Sequence, residues 1–196
     1  MRRGVWFRGV VGGLFEERVG CVPDAVAVVS GSVVLSYGEF GVRVRRLARL
    51  LMGLGVGPES LVGLRWGGRW SWWWDLCGAR GGGGYVPVDV DQPVERVEYV
   101  LGVAAPVLVL STSVDRVGCR VRLWWWSWML LMCRVFGVPI SDGERLGVLR
   151  GENPAYVMFT SGSTGRPKGW WFRMRDCESV VVDAGEYGWA AMMWCC

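Results

Sequence analysis

Residues 156–169 read YVMFTSGSTGRPKG, an apolar run that passes directly into a loop of small and hydroxylated residues. The loop has the chemistry of an anion site. Gly162, Gly165 and Gly169 accept positive φ and let backbone come close to a ligand. Successive backbone N–H groups in such a turn form a concave nest for phosphate oxygens. Thr160, Ser161, Ser163 and Thr164 add hydroxyl donors, Lys168 adds a positive charge, and Pro167 stiffens the exit. The pattern is not G-x-x-x-x-G-K-[ST], because Pro167 stands where the second glycine would be. An isolated Ser/Gly-rich decapeptide is more often a solvated turn, so the decision falls to the flanking sequence.

Upstream, residues 155–159 read as the strand that delivers the loop, and residues 138–153 as a polar, loop-rich connection. Further out, Ser36-Tyr37-Gly38-Glu39 has the form of a capping box. Phe40, Val44, Leu47, Leu51 and Leu54 follow at helical spacing and share one face. Gly55 is the expected stop, and Pro58 prevents continuation. Residues 61–64 restart as a strand, and residues 25–29 suggest a short buried one. The pattern then repeats. A flexible turn is expected at residues 81–84, a strand at 85–88, and a helix with Pro93 in its first turn and Val94, Val97 and Leu101 on its apolar face. Residues 107–110 give the next strand. Helix and strand alternate, so the expected class is α/β, with a mainly parallel sheet flanked by helices. There is no internal repeat.

Composition excludes several functions. The 196 residues carry a net charge of +4 from 22 basic and 18 acidic groups. The arginines are scattered and form no basic stripe, so no nucleic-acid partner is expected. Lys168 is the only lysine, and there is no histidine, which removes His-based triads, bases and metal sites. The 7 cysteines contain no C-x-x-C pair, and no catalytic or metal-ligating residue is assigned. Arg8 interrupts the apolar residues near the start, and no small-residue cleavage site follows. The thiols are read as reduced and the location as cytoplasmic.

Three collinear segments carry a resemblance. One is the loop itself. The second is Leu35-Ser36-Tyr37-Gly38-Glu39-Phe40, continuing through Arg46-Leu47-Ala48 and Gly55-Val56-Gly57-Pro58-Glu59. The third is Gly82-Gly83-Gly84-Tyr85-Val86-Pro87-Val88-Asp89, with Pro93, Glu95-Arg96 and Tyr99-Val100-Leu101. Together they resemble the adenylate-forming (AMP-binding) superfamily, and specifically the amino-acid adenylation domains of nonribosomal peptide synthetases. The third segment favours that branch over acyl-CoA ligases.

The resemblance implies the N-terminal part of an adenylation domain over residues 14–169, a partial N-terminal subdomain of the family fold, and an aberrant tail over residues 170–196. Family members use ATP and Mg²⁺ to join a carboxylic or amino acid to AMP, releasing pyrophosphate. The acyl group is then captured by the phosphopantetheine arm of a carrier domain, which these residues do not include. On this basis Thr160, Ser161, Gly162, Ser163, Thr164, Gly165 and Lys168 are expected to hold or shape the site for the β- and γ-phosphates. Lys168 divides evenly between touching ATP and bracing the loop. The family's acid pocket, adenine contacts, magnesium carboxylate, ribose-binding Asp and C-terminal catalytic Lys have no counterpart here. The expectation is therefore a truncated domain, inactive alone. The alternatives are a non-catalytic nucleotide-binding or interaction remnant and an acyl-CoA ligase-like fragment.

Of the 14 tryptophans, 11 cluster at residues 66–74, 124–128 and 170–171. The middle cluster lies in an uncharged run of 11 residues, short of the roughly 20 a membrane span needs, so a membrane-surface role is not favoured. Tryptophan has the single codon TGG, and a run of GTG valine codons read one base late yields it. Shifted back, residues 66–75 can read Val-Gly-Gly-Ser-Val-Glu-Leu-Val-Val-Gly, which resembles the family's helix between the first two motifs. Residues 170–174 can read Val-Val-Val-Ser-His, the family's usual continuation of the loop. The clusters are thus read as out-of-frame segments, a reading that the nucleotide sequence tests directly.

Overall fold

The computed structural model describes residues 11–30, 33–65, 82–111, 123–125, 138–160 and 166–176. Their elements run in the order α1 (Val11–Cys21), β1 (Val26–Ser30), β2 (Val33–Ser36), α2 (Tyr37–Gly53), β3 (Leu61–Arg65), β4 (Gly84–Val88), α3 (Val94–Ala104), β5 (Leu108–Ser111), β6 (Leu123–Trp125), a 3-10 turn (Asp142–Glu144), β7 (Pro154–Thr160) and β8 (Lys168–Arg173). Six strands form one sheet in the order β6-β5-β3-β4-β7-β8. Every neighbour pair is parallel except β7 and β8. The mainly parallel α/β sheet expected from the helix–strand alternation is present.

Helices cover both faces, which is why the central strands are continuously apolar rather than alternating. On one face Val62, Leu64, Leu108 and Leu110 pack with Phe15 and Val19 of α1 and with Phe40, Val44, Leu47 and Leu51 of α2. On the other, Leu61, Val86, Val88, Val109 and Val157 meet Val97, Val100 and Leu101 of α3. Phe15 and Phe40 lock the two helices edge to face, with ring centroids 5.3 Å apart. The Arg45 guanidinium ties α2 to Glu16 of α1.

The start of α2 forms as its residues dictate. The Ser36 hydroxyl accepts from the Glu39 N–H at 3.2 Å, and the Glu39 carboxylate accepts from the Ser36 N–H at 3.0 Å. The helix ends before Gly55, whose φ of 90° closes the turn at no steric cost.

Four local expectations need correction. Residues 25–29 do form a strand, but it pairs antiparallel with β2 in a separate ribbon. Only Val28 of that stretch is buried, while Val26 and Val29 are 59% and 67% exposed. Pro93 is the N-cap of α3 and not part of its first turn; its extended ψ of 145° lets its carbonyl accept from Val97 N–H. Val94 is 51% exposed, and Val100 takes its place on the buried face. The turn at residues 82–84 is packed rather than flexible. A Cβ on Gly83 would lie 2.5 Å from a Val56 methyl, and one on Gly84 would lie 2.9 Å from the Pro154 carbonyl.

Candidate functional site

The carboxyl ends of β5, β3, β4 and β7 share one edge of the sheet, because these strands are parallel. That edge is where open α/β sheets bind ligands. β7 emerges there. Its residues are buried from Pro154 to Val157, half-buried at Met158 and Phe159, and exposed at Thr160. β8 runs back antiparallel, so Lys168 returns to the same edge, directly opposite Thr160. The structure thus brings a hydroxyl and an ammonium together across the mouth of the loop, both exposed. Ser161, Gly162, Ser163, Thr164 and Gly165 lie outside the described residues. Arg166, exposed like Lys168, adds a second positive charge at the loop's exit.

The hairpin is seated by aromatic stacking. Tyr156 lies parallel to Phe172 at 4.3 Å and against Tyr85 of β4 at 5.5 Å. At the next level up, Gly169 sits under the Phe159 ring; a Cβ there would come within 3.2 Å of it. By contrast, the direct ladder between β7 and β4 is a single residue pair, Tyr85 with Tyr156.

The chemistry this arrangement supports is anion binding. Lys168 supplies charge and Thr160 a hydroxyl donor, both on the solvent-exposed edge of the sheet. Among the described residues no group of three or more Cys, Asp or Glu side chains is placed to hold a metal ion, so no residue here is assigned to Mg²⁺.

Sequence reading missed several groups that shape this edge and its approach. Arg65 and Ser111 are buried polar residues at the carboxyl ends of β3 and β5, in register with each other; a lone Arg closing an apolar strand was the available signal. Arg49 of α2 grips the connection that precedes β7. It donates to both oxygens of Glu144 at 2.7 and 3.2 Å, and to the carbonyls of Val138 and Pro139 at 2.8 and 3.2 Å. Glu144 also accepts from the Ser141 N–H. The Arg49 hydrogen bonds, helped by the Ser141 N–H, hold the Glu144 carboxyl down at about 2, against an ordinary value of 4.5. Such partners lie too far along the chain for spacing to reveal.

Comparison with known proteins places this geometry. The family model described as AMP-binding enzyme matches residues 15–193. The match therefore runs past residue 170, as does β8. The chain is 36% identical over 157 residues to a probable non-canonical nonribosomal peptide synthetase, CymA, of Salinispora arenicola, covering 80% of this chain and 2% of that protein. It is 35% identical to tyrocidine synthase 3 of Brevibacillus parabrevis, over 92% of this chain and 3% of the synthase. It is also 35% identical to novobiocin biosynthesis protein H of Streptomyces niveus, over 80% of this chain and 27% of that one. The chain thus spans a small part of each relative's length. Among solved structures, the nonribosomal peptide synthetase FmoA3 in an AMPPNP-bound form superposes with a TM-score of 0.77 at 26% identity, covering 91% of this chain and 19% of that one. The N-terminal subdomain of Klebsiella oxytoca NpsA shares the fold, with a TM-score of 0.73 at 23% identity over 87% of this chain and 42% of that one.

Proposed function

The chain belongs to the AMP-binding enzyme family, and from that premise we propose that it is part of an amino-acid adenylation domain whose β7–β8 loop receives the β- and γ-phosphates of ATP. The observation that carries this reading is the cross-strand pairing of Thr160 with Lys168 at the ligand-binding edge of the sheet. In the proposed reaction an amino-acid carboxylate attacks the α-phosphorus and pyrophosphate leaves. Phosphoryl chemistry of this kind depends on positioning and on fixed charge more than on covalent help from the protein. Lys168 would stabilise the charge that accumulates on the departing pyrophosphate. The Thr160 hydroxyl and the loop amides would hold its oxygens in line. Ser161, Gly162, Ser163, Thr164 and Gly165 belong to the same proposal through the sequence motif.

Mg²⁺ would accompany the nucleotide and offset its charge, with ligands from outside the described residues. The amino acid and the carrier domain with its phosphopantetheine arm would engage other parts of such a synthetase. These 196 residues alone are expected not to complete the reaction, because nothing in them corresponds to the family's acid pocket or C-terminal lysine. The cytoplasm is the proposed location. Cys21, the one described cysteine, is exposed and unbridged, and among the described residues no helix is long and apolar enough to cross a membrane.

Two measurements test this reading. Titration with AMPPNP should show saturable binding that weakens on Lys168→Ala. Amino-acid-dependent pyrophosphate exchange by the chain alone should be absent. Binding without exchange supports the phosphate-loop reading, exchange overturns the claim of inactivity, and absence of binding overturns the nucleotide site.

A further inference from the structure

We infer that Glu59 and Asn153 form a clamp at the base of the β7–β8 hairpin that positions the loop at its far end. The link to nucleotide phosphates rests on the function proposed above; the clamp itself does not.

Glu59 has a φ of 68°. A non-glycine residue there carries a steric cost that glycine would avoid. Its side chain must therefore contribute something glycine cannot. The contribution is visible: the Glu59 carboxylate accepts from the Asn153 amide, 94 residues along the chain. Asn153 is buried, at 7% exposure. Its side-chain oxygen accepts from the Arg150 N–H at 2.6 Å, and its backbone carbonyl accepts from the Met174 N–H at 2.9 Å. The Arg175 N–H reaches the Gly151 carbonyl at 3.0 Å. One residue thus joins the corner before β3, the start of β7 and the end of β8.

The topology explains why such a joint is needed. β3 and β7 are not neighbours, since β4 lies between them. β4 is held to β3 by five register pairs but to β7 by one. Apart from that pair, the hairpin is held to the sheet by the Tyr85–Tyr156–Phe172 stack and by Val157 packed in the core beneath α3. The bond from Glu59 to Asn153 spans the amino end of β4. There, Gly83 and Gly84 leave no space for side chains against Val56 and Pro154. Bare backbone at this point lets the two outer strands close over the inner one.

Hydrogen exchange and AMPPNP titration of the 196-residue chain and three variants test the clamp. In Asn153→Ala and Glu59→Gly, amides of residues 156–160 and of Met174 should exchange about tenfold faster, a part-buried hydrogen bond from buried Asn153 to the exposed Glu59 carboxylate having been lost. Amides of β3 and β5 should not change. Glu59→Gly should leave the thermal midpoint nearly unchanged, because relief of the positive φ offsets the lost hydrogen bond. Glu59→Gln keeps an acceptor oxygen and should restore slow exchange. AMPPNP affinity should fall about tenfold in the first two variants and recover in the third. Acceleration spread evenly over all strands, or none in the hairpin, overturns the clamp, as does Glu59→Gln behaving like Glu59→Gly. If the wild-type chain does not bind AMPPNP, the nucleotide reading fails and exchange alone decides the clamp. If Asn153→Ala does not fold, Glu59→Gly carries the comparison.

Discussion

All five residues of β3 are buried, whereas no residue of β8 is. Both strands belong to one sheet, but β3 lies between two helical layers and β8 at the edge. Trp170 and Trp171 occupy successive positions on β8 and so point to opposite faces; they are 61% and 58% exposed. The centre is stabilised by apolar burial on both faces. The hairpin is anchored at its base by Val157 in the α3-facing core and by the Ala155–Tyr156–Met174 cluster, and beyond that by its own ladder and an aromatic stack. Stability and the proposed ligand contact therefore fall on different strands, and substitutions should separate them.

The largest effect is expected in the centre. Leu108 is 1% exposed, and Leu108→Ala should lower unfolding free energy by about 2–5 kcal/mol in a denaturant titration. A loss below about 1 kcal/mol would erase the distinction between the two regions. Next comes Lys168→Ala on the hairpin. It should reduce AMPPNP affinity about tenfold while leaving unfolding free energy within about 0.5 kcal/mol of wild type. A large stability loss there would make Lys168 a brace rather than a ligand contact.

A smaller effect concerns the tie between α2 and the segment leading to β7. Glu144 has a folded value of about 2 against 4.5 ordinarily. A depressed carboxylate stabilises the fold above its unfolded value. That contribution should be complete above about pH 4.5 and disappear as pH falls toward 2. Glu144 is 38% exposed on its side chain, so solvent screening keeps the contribution modest. Glu144→Gln should flatten this part of the pH–stability curve, measured by thermal midpoints across the window. The smallest effect on stability is expected from the double change Trp170→Ser and Trp171→Ser. Unfolding free energy should move by no more than about 0.5 kcal/mol, while self-association by light scattering should drop because exposed apolar surface is removed. Unchanged scattering would leave the edge strand no more adhesive than the centre.

The same contrast governs what could be read from sequence. The capping box at Ser36, the α2 face and the strands of the parallel centre were legible, because capping and burial act through residues a few positions apart. The β1–β2 ribbon was not. In residues 26–35 valine occupies inward and outward positions alike, so the alternation that separates a half-exposed strand from a buried one is missing. Val94 was misassigned for a related reason: both it and Val100 fit a helical stripe through Val97, and only the sheet decides between them. The Glu59–Asn153 and Arg49–Glu144 bonds connect distant positions and leave no local pattern. The loop's character was clear from its motif, but five of its seven assigned residues, Ser161 to Gly165, fall outside the described region, as do most of the tryptophan clusters.

In mechanical terms β7 is a cantilever. It is anchored through Val157 and exposed at Thr160, where only β8 pairs with it, so its tip projects about 10 Å beyond its last buried position at the usual rise per residue. A tilt of about 5° at the anchor would carry the tip about 0.9 Å, and misplacement near 1 Å can cost a positioned reaction about a hundredfold. Small changes of packing around Pro154 would therefore act with leverage on the proposed phosphate site, although they lie well away from it.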